Sequence, residues 1–239
     1  MLPARGPDSP SGHPEILRIV APNPGPMTLT GTNTYLVDEN PAYVVDPGPA
    51  DERHVAAVRA EAERRGGLDG ILLTHSHADH SAASEMLGAA VVDAGPFQRI
   101  PTPGHAEDHV CFVRDGVCFS GDLILGEGST FVPPDGGSLV AYLQSLRRIA
   151  ELDLELICPG HGPFVTDPHA KVREYLEHRM EREQKLVAAL ERGERSRARL
   201  LDAAWDDVPE EMRPAAAVVM EAHLEKLQVE GRLPDDLRD

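Results

Sequence analysis

Over the first two thirds of the chain, apolar residues fall in short runs bounded by turn-forming residues. Ile16–Val20, residues 34–37 and Ala42–Val45 join β-branched and aromatic side chains in runs of strand length, and each predicts a strand. Residues 23–33, full of Asn, Pro, Gly and Thr, predict a loop between the first two. Residues 51–65 predict a helix, with Asp51 as its cap and Gly66-Gly67 as its stop. A strand at 71–74 and a short helix at 81–87 follow. Residues 110–113 and 117–120 flank Arg114-Asp115-Gly116, a hairpin turn. Residues 138–150 predict a helix and 156–158 a strand. Strands and helices alternate with hairpins mixed in, which predicts an α/β (α+β) fold of mixed sheets covered by helices, as in a four-layer αββα sandwich.

The pattern changes near Pro168. Val172, Tyr175, Leu176, Met180, Leu186, Val187 and Leu190 recur at helical spacing, between charges of alternating sign that predict a solvated outer face. Gly193 ends this helix. Helices at 199–204 and 212–228 and a wing at Gly231-Arg232-Leu233 predict a helical, winged-helix-like module. The expected organisation is a flexible segment at 1–14, a main domain at 15–168 and the helical module at 169–239. The apolar stripe at 215–227 serves either core packing or a homodimer.

Composition narrows the function. Aromatics are 4% of the 239 residues, too few for stacking on bases or sugars. The net charge is -17, divided as -13 over residues 1–169 and -4 over 170–239, the opposite of a nucleic-acid footprint. Duplex DNA is therefore not an expected partner. Cys111, Cys118 and Cys158 form no close pair and sit in apolar runs, which predicts buried thiols in a reducing compartment. The first residues carry no apolar signal-peptide core, and no apolar run spans a membrane, so a cytoplasmic protein is expected.

The candidate chemistry lies in His75-Ser76-His77-Ala78-Asp79-His80, directly after a predicted strand. Three more candidate ligands follow apolar stretches: His105 in Pro103-Gly104-His105, Asp122 in Ser120-Gly121-Asp122, and His161 in Pro159-Gly160-His161-Gly162. Seven ligands exceed the four that one zinc takes and fit two metals with a bridging carboxylate. His75, His77 and His105 would serve one ion, Asp79, His80 and His161 the other, and Asp122 would bridge. Two zinc ions, or iron or manganese in their place, would activate water as a metal-bound hydroxide, with Asp79 and Asp122 as catalytic groups steering its proton. Asp46 is placed to orient a ligand histidine. His109 is expected to be structural, and His13, His54, His169, His178 and His223 solvated.

These motifs, together with Asp46-Pro47-Gly48 and Thr102-Pro103-Gly104-His105, resemble the metallo-β-lactamase superfamily in order over most of the chain. Residues 23–35 and 121–128 resemble its β-lactamase-like protein 2 branch. The resemblance implies an αββα fold, two zinc ions and a winged-helix-like C-terminus. It also implies hydrolysis of an ester, a thioester or a phosphodiester, single-stranded RNA included, and it brings Thr32 and Asn33 near the metals as substrate-binding residues. An iron-dependent oxidoreductase and a nucleic-acid-binding module are the alternatives. One departure stands out: only 30 residues separate His75 from His105, which predicts an open wall or a sheet short of strands.

Overall fold

The computed structural model describes residues 8–38 and 40–237, which form two compact units. The first holds the chain through Thr102 with Asp108–Thr130 and Asp153–Pro168. The second holds Pro103–Glu107, Phe131–Leu152 and His169–Asp239. Half of the expected N-terminal segment, residues 1–7, lies outside the described residues. Asp8 is tied down, since its carboxylate accepts from Arg18 at 2.8 and 2.6 Å.

The first unit is built on two four-stranded sheets. β1 (Ile16–Val20), β2 (Asn33–Val37), β3 (Ala42–Val45) and β4 (Leu68–Leu72) lie in that order, antiparallel except for the parallel β3–β4 pair. The parallel pair needs a crossover, and α1 (Glu52–Arg64) supplies it. Asp51 caps α1 by accepting from the backbone N–H groups of Arg53 and His54, both at 3.0 Å. The second sheet repeats the plan with β5 (Gln98–Pro101), β6 (Val110–Arg114), β7 (Val117–Gly121) and β8 (Leu156–Pro159), the last pair parallel.

Alternation along the strands decides what meets what. Tyr35, Val37, Val45 and Leu72 from the first sheet join Val110, Phe112, Phe119 and Cys158 from the second in one apolar cluster. Leu36 and Val44 point the other way and pack on Val58 and Ala62 of α1. The hairpin forms as the sequence predicts, with Asp115 (φ 50°) and Gly116 (φ 76°) in its turn. β4 starts at Leu68, three residues earlier than expected, because parallel pairing to β3 draws in Leu-Asp-Gly, which alone reads as a turn. The single helix expected at 81–87 is two short ones, α2 (Ala78–Ser81) and α3 (Ser84–Leu87). β5 was not expected at all. It is an edge strand with one buried apolar residue, Ile100, and a terminal proline, which an edge tolerates.

In the second unit α4 (Leu139–Ala150) is capped by Ser138, and α5 (Pro168–Glu191), α6 (Arg197–Ala204) and α7 (Arg213–Val229) follow. Leu186, Leu190, Leu200, Met220, Leu224 and Leu227 form its core, so the stripe at 215–227 is spent on packing within the chain. Two expectations fail here. Met180, read as part of the apolar stripe, is 54% exposed, while Arg179 and Arg182 are buried beside it. Arg182 gives a bidentate pair to Asp207 (2.6 and 2.9 Å) and a third bond to the Ala204 carbonyl, and Arg179 stands over the Tyr142 ring. His223, expected in solvent, is fully buried against Trp205. Residues 231–233 make a helix-ending turn: Gly231 has φ 69° and Arg232 N–H donates to the Leu227 carbonyl.

Candidate metal centre

β4 ends because a side chain takes over its hydrogen bonding. Asp46, at the end of β3, accepts from the Thr74 backbone N–H at 2.8 Å and from the Thr74 hydroxyl at 2.7 Å. The chain then turns through His75–His80 at the ends of the strands. The same Asp46 carboxylate lies 2.9 Å from His80 Nδ1, which fixes the proton there and turns Nε2 toward the cluster. His75 is oriented similarly, with Nδ1 3.0 Å from Thr74 Oγ1.

Four expected ligands from three separate stretches of the first unit converge. His80 Nε2 is 3.4 Å from Asp79 Oδ2, 3.4 Å from Asp122 Oδ1 and 3.3 Å from His161 Nε2. His161 Nε2 is 3.3 Å from Asp79 Oδ2 and 3.4 Å from Asp122 Oδ1. A tetrahedron with metal–ligand bonds of about 2.0–2.1 Å has edges of about 3.3–3.4 Å. The Asp79, His80 and His161 atoms are spaced like three corners of it and form one metal-sized group, with Asp122 Oδ1 on the same two imidazoles, so the donor set fits a divalent metal. His75 Nε2 and His77 Nδ1 form a second pair of donors 3.0 Å apart. His105 belongs to the second unit, where its Nδ1 lies 2.7 Å from the Phe131 carbonyl, leaving Nε2 as the ring's basic nitrogen.

The electrostatics match a site built for a cation. Burial works against a charge on His80, but Asp122 and Asp46 outweigh it and hold the pKa well above 6.5. Burial also opposes the charge on His161, yet Asp122 and Asp79 push its pKa up to about 9. Burial would raise Asp79 and Asp122. His161 and His80 instead bring Asp79 down to about 2, and His80 and His161 take Asp122 well below the carboxylate range. His75, by contrast, is driven down to about 2 by burial and by His80 and His109. Two ionised carboxylates thus hold protons on two imidazoles, which a metal would displace.

The glycines beside the ligands have a steric role. A Cβ on Gly160 would stand 2.6 Å from both Asp122 Oδ1 and His80 Cε1, and one on Gly121 would strike the Thr74 hydroxyl. Loop 23–33 is bound into the same structure. Asn33 gives both amide hydrogens to the carbonyls of Pro159 and Gly162 (2.8 and 2.9 Å), and its backbone N–H donates to the Gly160 carbonyl. Thr32 is held by Asn23 through its N–H and its hydroxyl, both at 2.9 Å, and its hydroxyl lies 3.4 Å from Asp79 Oδ2. Thr32 and Asn33 are fully buried.

Several functional partners were not singled out in the sequence. Asn23, Thr74 and Tyr35, whose hydroxyl donates to the Pro159 carbonyl at 2.8 Å, lie within the motif stretches but carry no signal of their own role. His109 is structural as expected, and its task is specific: Nε2 accepts from the Asp122 backbone N–H at 3.2 Å while Nδ1 meets Thr102 Oγ1 at 2.9 Å. His54, expected in solvent, is buried with Nε2 2.8 Å from Thr34 Oγ1, because α1 lays it over the Asp46–Gly48 turn.

Two mixed sheets with a histidine–carboxylate cluster at their strand ends define a metal-binding α/β hydrolase. The chain belongs to the metallo-beta-lactamase superfamily, whose pattern it matches over residues 27–92 and 84–161. Residues 198–236 match the beta-lactamase associated winged helix domain. A Beta-lactamase-like protein 2 homolog of Drosophila melanogaster is 30% identical, over 91% of this chain and 89% of its own. An Atrochrysone carboxyl ACP thioesterase of Aspergillus fumigatus is also 30% identical, over 95% of this chain and 76% of its own. Among solved structures, a Beta-lactamase domain protein from Burkholderia ambifaria superposes with a TM-score of 0.76 at 20% identity, covering 99% of this chain and 93% of that one. No helix among the described residues is long and apolar enough to cross a membrane.

Proposed function

We propose that this hydrolase uses two zinc ions to cleave carboxylic esters and thioesters. Asp79, His80 and His161 would hold one ion and His75, His77 and His105 the other, with Asp122 available to both. The main domain at 15–168 carries the chemistry, and the module at 169–239 supports it. The observation that carries this reading is the convergence of Asp79, His80 and His161 into one metal-sized group, with Asp122 Oδ1 3.4 Å from both imidazoles. When bound, such a metal pair polarises the carbonyl oxygen and lowers the pKa of water from 15.7 toward about 7.

The protein's own groups do the rest. Asp79 or Asp122, both ionised, takes a hydrogen of the attacking water on the carboxylate oxygen that is not turned to the His80–His161 pair. Asp46 fixes the ring of His80, and Thr32 steadies Asp79. Water oxygen bonds to the acyl carbon, the C–S or C–O bond breaks, and the leaving thiol or alcohol departs with the proton. Thr32 and Asn33 act here as positioning residues rather than substrate contacts, since both are buried and their donors are committed.

A polyanionic RNA is the weaker substrate, because phosphate contacts dominate such affinity and residues 1–169 carry a net charge of -13. The thioesterase name of one relative favours thioesters. Three buried free thiols favour a reducing compartment such as the cytoplasm. The test is a panel of thioesters, lactones, β-lactams, phosphodiesters and short RNA, offered to zinc-loaded protein and to His77→Ala. Thioester or ester turnover that collapses in the variant supports the reading. No turnover, or equal turnover in both, refutes it.

A further inference from the structure

A cavity of about 400 Å³ opens in the first unit beside His75 and Ser76. Its position follows from the topology. β5 is the edge of its sheet, and Arg99 pairs in register with Phe112, so both side chains share the face turned toward the other sheet. β4 is the edge of the first sheet, flanked only by a bridge from Ile71 to Val91. The cavity is the seam between these two edges. Asp93 reaches across it to Arg99 at 3.3 Å, an ion pair with both partners solvated.

The family match comes in two pieces that meet at 84–92, inside the short stretch between His80 and His105, and Val91–Asp93 line the cavity there. Leu73, Val91, Val92 and Phe112 are the apolar part of its lining and His75 and Ser76 an uncharged polar part, while Arg99 faces the carboxylates of Asp93 and Asp108. An anion such as a phosphate gains nothing beside those carboxylates, whereas an uncharged chain gains roughly 3- to 4-fold in affinity for each buried methylene. The volume suits a small-molecule pocket and has room for a chain of roughly eight to ten carbons.

We propose that the seam is an acyl-chain pocket: the uncharged chain of an ester or thioester lies against Leu73, Val91, Val92 and Phe112, with its carbonyl toward His75. This rests on the hydrolase reading and narrows it, placing medium-chain acyl groups ahead of acetyl groups and phosphodiesters.

The test pairs binding with turnover on the full chain. 2-Undecanone, an uncharged and uncleavable analogue, is titrated into wild type and Val91→Trp, in which an indole fills the seam. Wild type is expected to bind, and the variant to bind at least ten-fold more weakly. In N-acetylcysteamine thioesters from acetyl to decanoyl, kcat/KM is expected to climb with chain length in wild type and to flatten in Val91→Trp. Should Val91→Trp not fold, NMR contacts between the ketone chain and the Leu73 and Val92 methyls in wild type replace it. Ketone binding lost in the variant without any thioester cleavage would fail the hydrolase reading and leave the pocket standing. Thioester cleavage indifferent to chain length, with equal ketone binding in both proteins or no methyl contacts, would overturn the pocket.

Discussion

Asp46 and His80 are joined by a 2.9 Å contact between Oδ2 and Nδ1, and both are buried. The same oxygen accepts from the Thr74 hydroxyl at 2.7 Å, and Thr74 Oγ1 in turn lies 3.0 Å from His75 Nδ1. One carboxylate therefore sets His80 directly and His75 through a relay. Partners of this kind raise ligand basicity and fix ring orientation.

Asp46→Asn is expected to weaken metal binding by about 10- to 100-fold. Thr74→Val breaks only the relay to His75 and should weaken one of the two binding steps. Competition with a chelator of known affinity measures both. Wild-type affinity in Asp46→Asn would show that the carboxylate merely ends β4.

Asn33 contributes through two bonds to a loop that also receives Tyr35 and Arg18: Tyr35 donates to the Pro159 carbonyl and Arg18 to that of Gly162. Neither carbonyl is stranded when Asn33 is truncated. Asn33→Ala should cost about 2 kcal/mol, two ordinary hydrogen bonds, and Tyr35→Phe about 1 kcal/mol. Asn33→Asp should cost more than either, because it faces a buried carboxylate toward two carbonyl oxygens. Urea unfolding midpoints would rank the three, and a harmless Asn33→Asp would refute this role.

Much of the site was legible in the sequence because its ligands follow apolar runs at strand ends, and the chain must turn there. The hairpin at Asp115-Gly116, the cap at Asp51 and the strands around the core were equally plain. Side chains whose partners are distant in sequence were not legible. Arg182 reads as a surface charge until Asp207, 25 residues on, meets it. His223 reads as solvated until α7 turns it onto Trp205. Asn23 and Thr32 read as turn residues, although together they steady Asp79. β5 was missed because an edge strand lacks the two-sided burial that gives strands their pattern.

The second unit should lose stability in mild acid. Burial, with Arg179 and Arg182 nearby, drives His178 down to about 4, and burial with Arg179 and Lys226 drives His223 well below 6.5. Both are neutral in the folded chain near pH 6, whereas the unfolded chain takes up protons below about 6.5. Stability is therefore full above that pH and falls as pH drops from 6.5 toward 4, where the His178 contribution levels off. His223→Gln should flatten the slope. Thermal melts followed by Trp205 fluorescence, the single tryptophan, would show it, and a pH-independent melt over this range would contradict it.

The central claim is that Asp79, His80, Asp122 and His161 enclose one ion of a pair. Elemental analysis of purified wild type and His161→Ala, with the metal identified in each, tests it most directly. The expected result is two zinc ions per chain in wild type and one in the variant. A wild type that binds no metal, or a His161→Ala that keeps both ions, would contradict it.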